Sequence, residues 1–123
     1  MHDISAAQII AEEVIKKIKG KDIKKIEISV VLGLLRYHNI ENVKFYIEEI
    51  LKKELGDLEI KIDIHIAKPK IECECGFKGS LEHVKDSQLF HYGIHDISCP
   101  ACNSNKIKIN GGNECLIKRI RAR

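Results

Sequence analysis

With 123 residues, the chain is long enough for one ordinary domain, or for a small domain carrying a smaller inserted module. Its 21 Lys and Arg are interspersed with 18 Asp and Glu for a net charge of +3, which argues against a nucleic-acid track, and no apolar run approaches the roughly 18 residues of a membrane helix. Hydrophobic residues make up 44% of the chain, yet Trp is absent and aromatics are few, so the core must be built from Ile, Leu and Val.

The first element is predicted from Ser5 and Gln8, which form a capping box ahead of an apolar stripe at helical spacing, Ala7, Ile10, Ala11, Val14 and Ile18. Gly20 closes that helix, with Lys16, Lys17 and Lys19 near its negative end. Residues 24–32 alternate as a strand with Ile26, Ile28, Val30 and Leu32 on one side. Asn39 is placed to cap a second helix whose buried face is Ile40, Val43, Ile47, Ile50 and Leu51. After the Gly56-Asp57 turn, Leu58, Ile60, Ile62, Ile64 and Ile66 alternate with Glu59, Lys61, Asp63 and His65 as a second strand. Pro69 ends this unit. From residue 70 to about 110 the periodicity fades, and Lys106–Ile109 is expected to form a hairpin with 114–120 across Gly111-Gly112. The second strand of that hairpin, Cys115 to Ile120, is placed to return to the first sheet's edge.

The fold expected is α+β: two helices packed on a small three-stranded sheet, residues 1–69 and 110–123, with a zinc-ribbon domain inserted at 70–109. No basic stretch followed by an apolar one opens the chain, so a secretion signal is not expected and the protein is read as cytoplasmic. In that compartment paired cysteines are more often metal ligands than disulfides.

Cys73 and Cys75 lie in Glu-Cys-Glu-Cys-Gly, and Cys99 and Cys102 in Cys-Pro-Ala-Cys. Four thiolates at this arrangement close a tetrahedron around zinc, leaving no open position to activate water, so the zinc is structural. Cys-x-Cys is one residue short of the usual turn, although Gly76 supplies permissive backbone. Two alternatives stand beside this: thiols or disulfides without metal, and a zinc site in which His83, His91 or His95 replaces Cys73.

The second candidate site is the amino terminus. The amine of Met1, the deprotonated amide of His2 and the His2 ring form fused chelate rings suited to Ni(II) or Cu(II). The fourth position is open to the amide or carboxylate of Asp3, or to a distant histidine. The bland alternative is an untethered terminus. The capping box at Ser5 and the bulk of His2, which hinders removal of Met1, favour a held one.

Met1-His2-Asp3-Ile4-Ser5, the strand ending Val31-Leu32-Gly33, Val43-Lys44-Phe45, the two cysteine pairs and the closing Gly111-Gly112-Asn113-Glu114 together resemble the HypA family, over essentially the whole chain. The resemblance implies a nickel metallochaperone of [NiFe]-hydrogenase maturation, not an enzyme, that cooperates with the GTPase HypB and delivers Ni(II) to the hydrogenase large-subunit precursor. It implies Met1, His2 and the backbone at Asp3 as nickel ligands, and Cys73, Cys75, Cys99 and Cys102 as zinc ligands. The stretch from Leu81 through His91 and His95 looks like the histidine-bearing loop of archaeal members, in which His91 is the match for a residue that completes the nickel shell. Two departures stand out: Asp3 replaces the usual Glu, and Cys73-x-Cys75 replaces Cys-x-x-Cys.

A monomer or weak homodimer without nucleic-acid or membrane partners is expected. The remaining titratable residues take blander roles: His38 and His65 are read as solvated, Cys115 as a small buried hydrophobe and the terminal Lys118–Arg123 run as a solvated edge. The rival function is a zinc-ribbon nucleic-acid-binding or transcription accessory protein, against which the weak charge and missing aromatic-basic surface count. A zinc enzyme ranks last, because no open three-ligand site with a nearby base is visible.

Overall fold

The first helix, α1 (His2–Ile18), begins three residues before the expected cap at Ser5. Ser5 therefore lies inside the helix, and the capping box is not its start. The acidic group in the first turn is Asp3, well placed against the positive end of the helix, and Lys16 and Lys17 occupy the last turn. The computed structural model describes residues 2–36, 38–80 and 98–123, with the backbone alone at His2.

Strand β1 (Lys25–Gly33) alternates as its sequence demands, with Ile26, Ile28, Val30 and Leu32 all buried. A short 3-10 turn, Leu34–Arg36, follows it. Helix α2 (Ile40–Leu55) is capped by Asn39, whose side chain accepts the Asn42 N–H at 3.0 Å. It ends at Gly56, which takes a φ of 82° that a side chain would resist. Val43, Ile47 and Leu51 are its buried residues, and Ile40 and Ile50 are half-buried. Strand β2 (Glu59–Ala67) also alternates, but only Ile62 among its isoleucines is fully buried.

The chain ends in β6 (Cys115–Ala122), and the first sheet has the order β2-β1-β6. Lys25 and Arg123 exchange both backbone hydrogen bonds, at 2.8 and 2.9 Å, which makes β1 and β6 antiparallel. The Glu59 N–H donates to Lys24 at the beginning of both β2 and β1. Helix α1 packs along α2 and against β6. Ala6, Ala7, Ile10, Ala11, Val14 and Ile18 on α1 are buried, so the expected helix-on-sheet layer holds.

A second three-stranded sheet, of order β4-β3-β5, is built from β3 (Lys70–Cys73), β4 (Lys78–Ser80) and β5 (Ile107–Gly111). Both neighbours of β3 run antiparallel to it. Among the described residues its apolar centre is Leu35 and Ile71, with Leu34, Phe77, Ile107 and Ile109 packed around them. The chain thus divides into two units. One comprises Met1–Val31, His38–His65 and Cys115–Arg123, and the other Leu32–Tyr37 and Ile66–Glu114.

The hairpin expected across Gly111-Gly112 does not form, because β5 pairs with β3 while β6 pairs with β1 in the other sheet. Between them the chain makes a crossing. The Leu35 N–H donates to the Gly112 carbonyl at 2.8 Å, and the Gly33 N–H donates to the Glu114 carbonyl at 2.7 Å. A Cβ on Gly33 would lie 1.9 Å from the Gly112 oxygen, so only glycine fits there. Gly112 itself has a φ of 105°, and a Cβ there would lie 2.9 Å from Pro69 Cα and 3.0 Å from the Leu35 side chain. The two glycines separate strands that a hairpin would have joined.

Candidate metal centres

Each cysteine pair sits in a tight turn closed by its own backbone. In the first, the Cys73 carbonyl accepts the Gly76 N–H at 3.0 Å and the Cys73 N–H donates to the Phe77 carbonyl at 2.9 Å. In the second, the Cys99 carbonyl accepts the Asn103 N–H at 2.8 Å and the Cys99 N–H donates to the Ser104 carbonyl at 2.8 Å. The pattern is the same, lengthened by one residue in the second turn. A left-handed residue follows the second cysteine in both, Gly76 at φ 101° and Asn103 at φ 64°. This resolves the irregular spacing: Cys73-x-Cys75 is a knuckle shortened by one residue rather than a failed one. Asn is the non-glycine residue that tolerates this backbone best, so its position after Cys102 was the signal that sequence reasoning passed over.

The two turns interleave their sulfurs. Cys73 Sγ lies 3.5 Å from Cys102 Sγ, and Cys75 Sγ lies 3.6 Å from Cys99 Sγ. These separations far exceed the about 2.05 Å of a disulfide bond, and all five cysteines are thiols. All four sulfurs lie within 4.8 Å of one another. A tetrahedron with Zn–S bonds of about 2.3 Å has edges of about 3.8 Å, which these separations bracket. Cys115 lies outside the cluster, half-buried in β6.

The electrostatics suit a dication. Burial pushes the Cys99 thiol up, but N–H groups of Cys102 and Ala101 outweigh it and bring Cys99 down to about 7. The Ala101 N–H reaches Cys99 Sγ at 3.4 Å. The Ser104 backbone favours the Cys102 thiolate, yet the crowding sulfurs of Cys73 and Cys75 push that thiol up to about 12. Four thiolates therefore cannot accumulate on protein donors alone. A bound Zn²⁺ would neutralise them, and the soft, closed donor set fits it.

At the other end, His2 and Asp3 belong to the first turn of α1, where N–H groups have no carbonyl partner within the helix. The Asp3 carboxylate reaches the segment before α2. Its Oδ1 lies 2.9 Å from His38 Nδ1 and accepts the Asn39 N–H at 3.3 Å. His38, expected to be solvated, is half-buried as a residue, with its side chain only 2% exposed. Sequence offered no sign of this pairing, since 35 residues separate the partners. His65 is exposed on the polar side of β2, as expected. Met1, the His2 side chain, His83, His91 and His95 lie outside the described residues.

Comparison with known proteins meets these features. The family described as "Hydrogenase/urease nickel incorporation, metallochaperone, hypA" matches residues 1–122. The hydrogenase maturation factor HypA of Methanocaldococcus jannaschii is 34% identical over 125 residues, covering 96% of this chain and 94% of that protein. That of Methanothermobacter thermautotrophicus is 30% identical over 122 residues, covering 98% and 96%. In fold, the chain is similar to the solution structure of the Ni metallochaperone HypA from Helicobacter pylori, with a TM-score of 0.57 and 19% identity over 97% of this chain and 92% of that one. The chain therefore belongs to the HypA family of nickel-incorporation metallochaperones of hydrogenase maturation, whose metals are nickel as cargo and a structural zinc that its four-cysteine cluster fits.

Proposed function

We propose that this chain takes up Ni(II) at its amino terminus, through the Met1 amine, the His2 amide and ring and the Asp3 backbone, and delivers it to the [NiFe]-hydrogenase large-subunit precursor in cooperation with the GTPase HypB, in the cytoplasm. In this reading residues 1–69 and 110–123 form the nickel-binding domain and 70–109 the zinc domain. Cys73, Cys75, Cys99 and Cys102 hold the zinc, and His91 supplies a further nickel donor. The protein carries the ion and does not act as an enzyme.

The observation that carries the reading is the anchored start of α1. Residues 2 and 3 lie in a first helical turn whose second residue, Asp3, is tied to the segment before α2. Deprotonating the His2 or Asp3 amide removes a proton that no intrahelical hydrogen bond uses. The positive helix end opposes a cation there, and ionised amides with the Asp3 carboxylate offset that opposition. A site so balanced suits cargo better than a permanent resident.

The test is a Ni(II) titration of untagged protein, compared with His2→Ala, with one residue added before Met1, and with His91→Ala. The first two changes are expected to abolish tight binding and leave the zinc content intact, and His91→Ala to weaken binding. Tight binding that survives both terminal changes would refute the amino-terminal site.

A further inference from the structure

We infer that His38 is a positioning residue of the nickel site, fixing through Asp3 the geometry of the donors at the chain's start. The inference rests on the amino-terminal reading above and adds to it a residue 35 positions away. His38 Nδ1 lies 2.9 Å from Asp3 Oδ1, and a carboxylate can only accept, so Nδ1 carries the proton. The same oxygen accepts the Asn39 N–H at 3.3 Å. Asn39 is in turn locked by its own role, because its side chain caps α2 through the Asn42 N–H at 3.0 Å. Two donors from the rigid entry to one helix thus grip one oxygen in the first turn of another.

First turns ordinarily fray, and a chelate built from consecutive backbone nitrogens requires the opposite. The Asp3 amide nitrogen and its Cα are adjacent atoms, so a held carboxylate restrains the rotation that would misdirect the His2–Asp3 peptide. Burial makes the grip firm: the His38 side chain is 2% exposed and that of Asp3 20%, so water competes weakly for the bond. Neither residue needs to touch the metal through its side chain for this to act. A histidine–carboxylate pair beside a metal site is the kind of outer contact whose loss typically weakens metal binding by about 10–100-fold.

The test uses the full untagged chain loaded with zinc, titrated with Ni²⁺ alone against a chromophoric chelator, with nickel X-ray absorption as the second readout. His38→Ala is expected to weaken nickel binding by about 10–100-fold. Asp3→Ala, which keeps the backbone donor, should weaken it at least as much, because it also frees the Asn39 N–H, and the double variant should bind no more weakly than Asp3→Ala, since the His38 bond is already lost. His38→Asn should restore binding, because its side-chain amide offers an N–H where Nδ1–H was and no second ring nitrogen. Helix content by circular dichroism should stay at the wild-type level. If His38→Ala fails to fold, Asp3→Ala breaks the same bond from the other side and takes its place.

Wild-type affinity in His38→Ala, or in Asp3→Ala where it takes that place, overturns the inference. So does a His38→Asn variant that is as weak as His38→Ala and has one fewer imidazole in the nickel shell, which would make His38 a ligand. His2→Ala separates the two levels. If it abolishes nickel binding while His38→Ala changes nothing, only the positioning role falls. If it too binds nickel tightly, the amino-terminal site falls and His38's role goes with it.

Discussion

The two units are held together by different physics. The unit containing both helices buries aliphatic residues from four elements: Ile10, Ala11 and Val14 on α1, Ile26, Ile28 and Val30 on β1, Val43, Ile47 and Leu51 on α2, and Ile62 on β2. Among the described residues, the other unit has a core cluster centred on Leu35 and Ile71, and its two knuckles are closed by backbone bonds and brought together by sulfur. Burying a Val, Leu or Ile side chain contributes about 1.5–3 kcal/mol, so the first unit has ample drive to fold and the described part of the second has less. A stretch this poor in core needs a staple, and the four-cysteine cluster fits that role. The contrast teaches that one chain can stabilise one unit with a packed aliphatic core and another with a coordination shell.

The sharpest way to break this comparison is to remove the zinc. Structural zinc binding in finger-like peptides is worth roughly 10–16 kcal/mol, far more than the small cluster around Ile71 offers. A strong chelator, or Cys99→Ser, is expected to collapse the amide dispersion of residues 70–80 and 98–111 while the signals of Ile26–Val30 persist. Loss of both sets together, or of neither, would show that the units do not differ as described.

Ile47→Ala probes the opposite side. Ile47 is fully buried, and truncating it should destabilise the helical unit by about 2–5 kcal/mol, read from denaturant midpoints at constant zinc. The zinc-to-protein ratio should stay at one. Gly33→Ala tests the crossing. With a Cβ only 1.9 Å from a backbone oxygen, the strand end and the Gly112 segment must separate, for an expected loss of about 1–3 kcal/mol or somewhat more. Thermal melts of the zinc-loaded protein measure it, and an unchanged midpoint would mean that the crossing gives way freely.

The smallest effect concerns the zinc unit's surface. Glu72 accepts from Lys78 across β3–β4 at 3.1 Å, and hydrogen bonds from Lys78 and Asn110 hold its carboxyl below its ordinary range. A depressed carboxyl adds stability at neutral pH, and the contribution is lost as pH falls through the lowered folded-state value. Both groups are solvent-exposed, so the effect is slight and screened by salt. Carbon-detected titration of Glu72 should show a midpoint below that of ordinary glutamates, moving up in Lys78→Ala.

Much of this fold was legible because local signals and burial agreed. The alternation of Ile26, Ile28, Val30 and Leu32, the Asn39 cap and the break at Gly56 each describe a local interaction, and each appears where expected, Gly56 as the cap of α2 rather than only a turn. The cysteine cluster was legible for the same reason, since a knuckle is a property of five or six consecutive residues. The errors lie where distant segments decide. Ser5 and Gln8 have the composition of a cap, but the helix extends to His2, where the Asp3 carboxylate meets His38 and Asn39. Gly111-Gly112 has the composition of a hairpin turn, but Gly33 receives it as a crossing.

By itself, the sequence determined the two helices, the alternating strands and the four sulfurs, because periodicity, capping and ligand spacing are written within a few residues. Only the tertiary structure decided that β5 and β6 part into different sheets and that the His38 ring holds Asp3. Those outcomes depend on groups 35 to about 80 residues apart, and their pairing is fixed by packing and hydrogen-bond satisfaction across the folded chain rather than by any local preference.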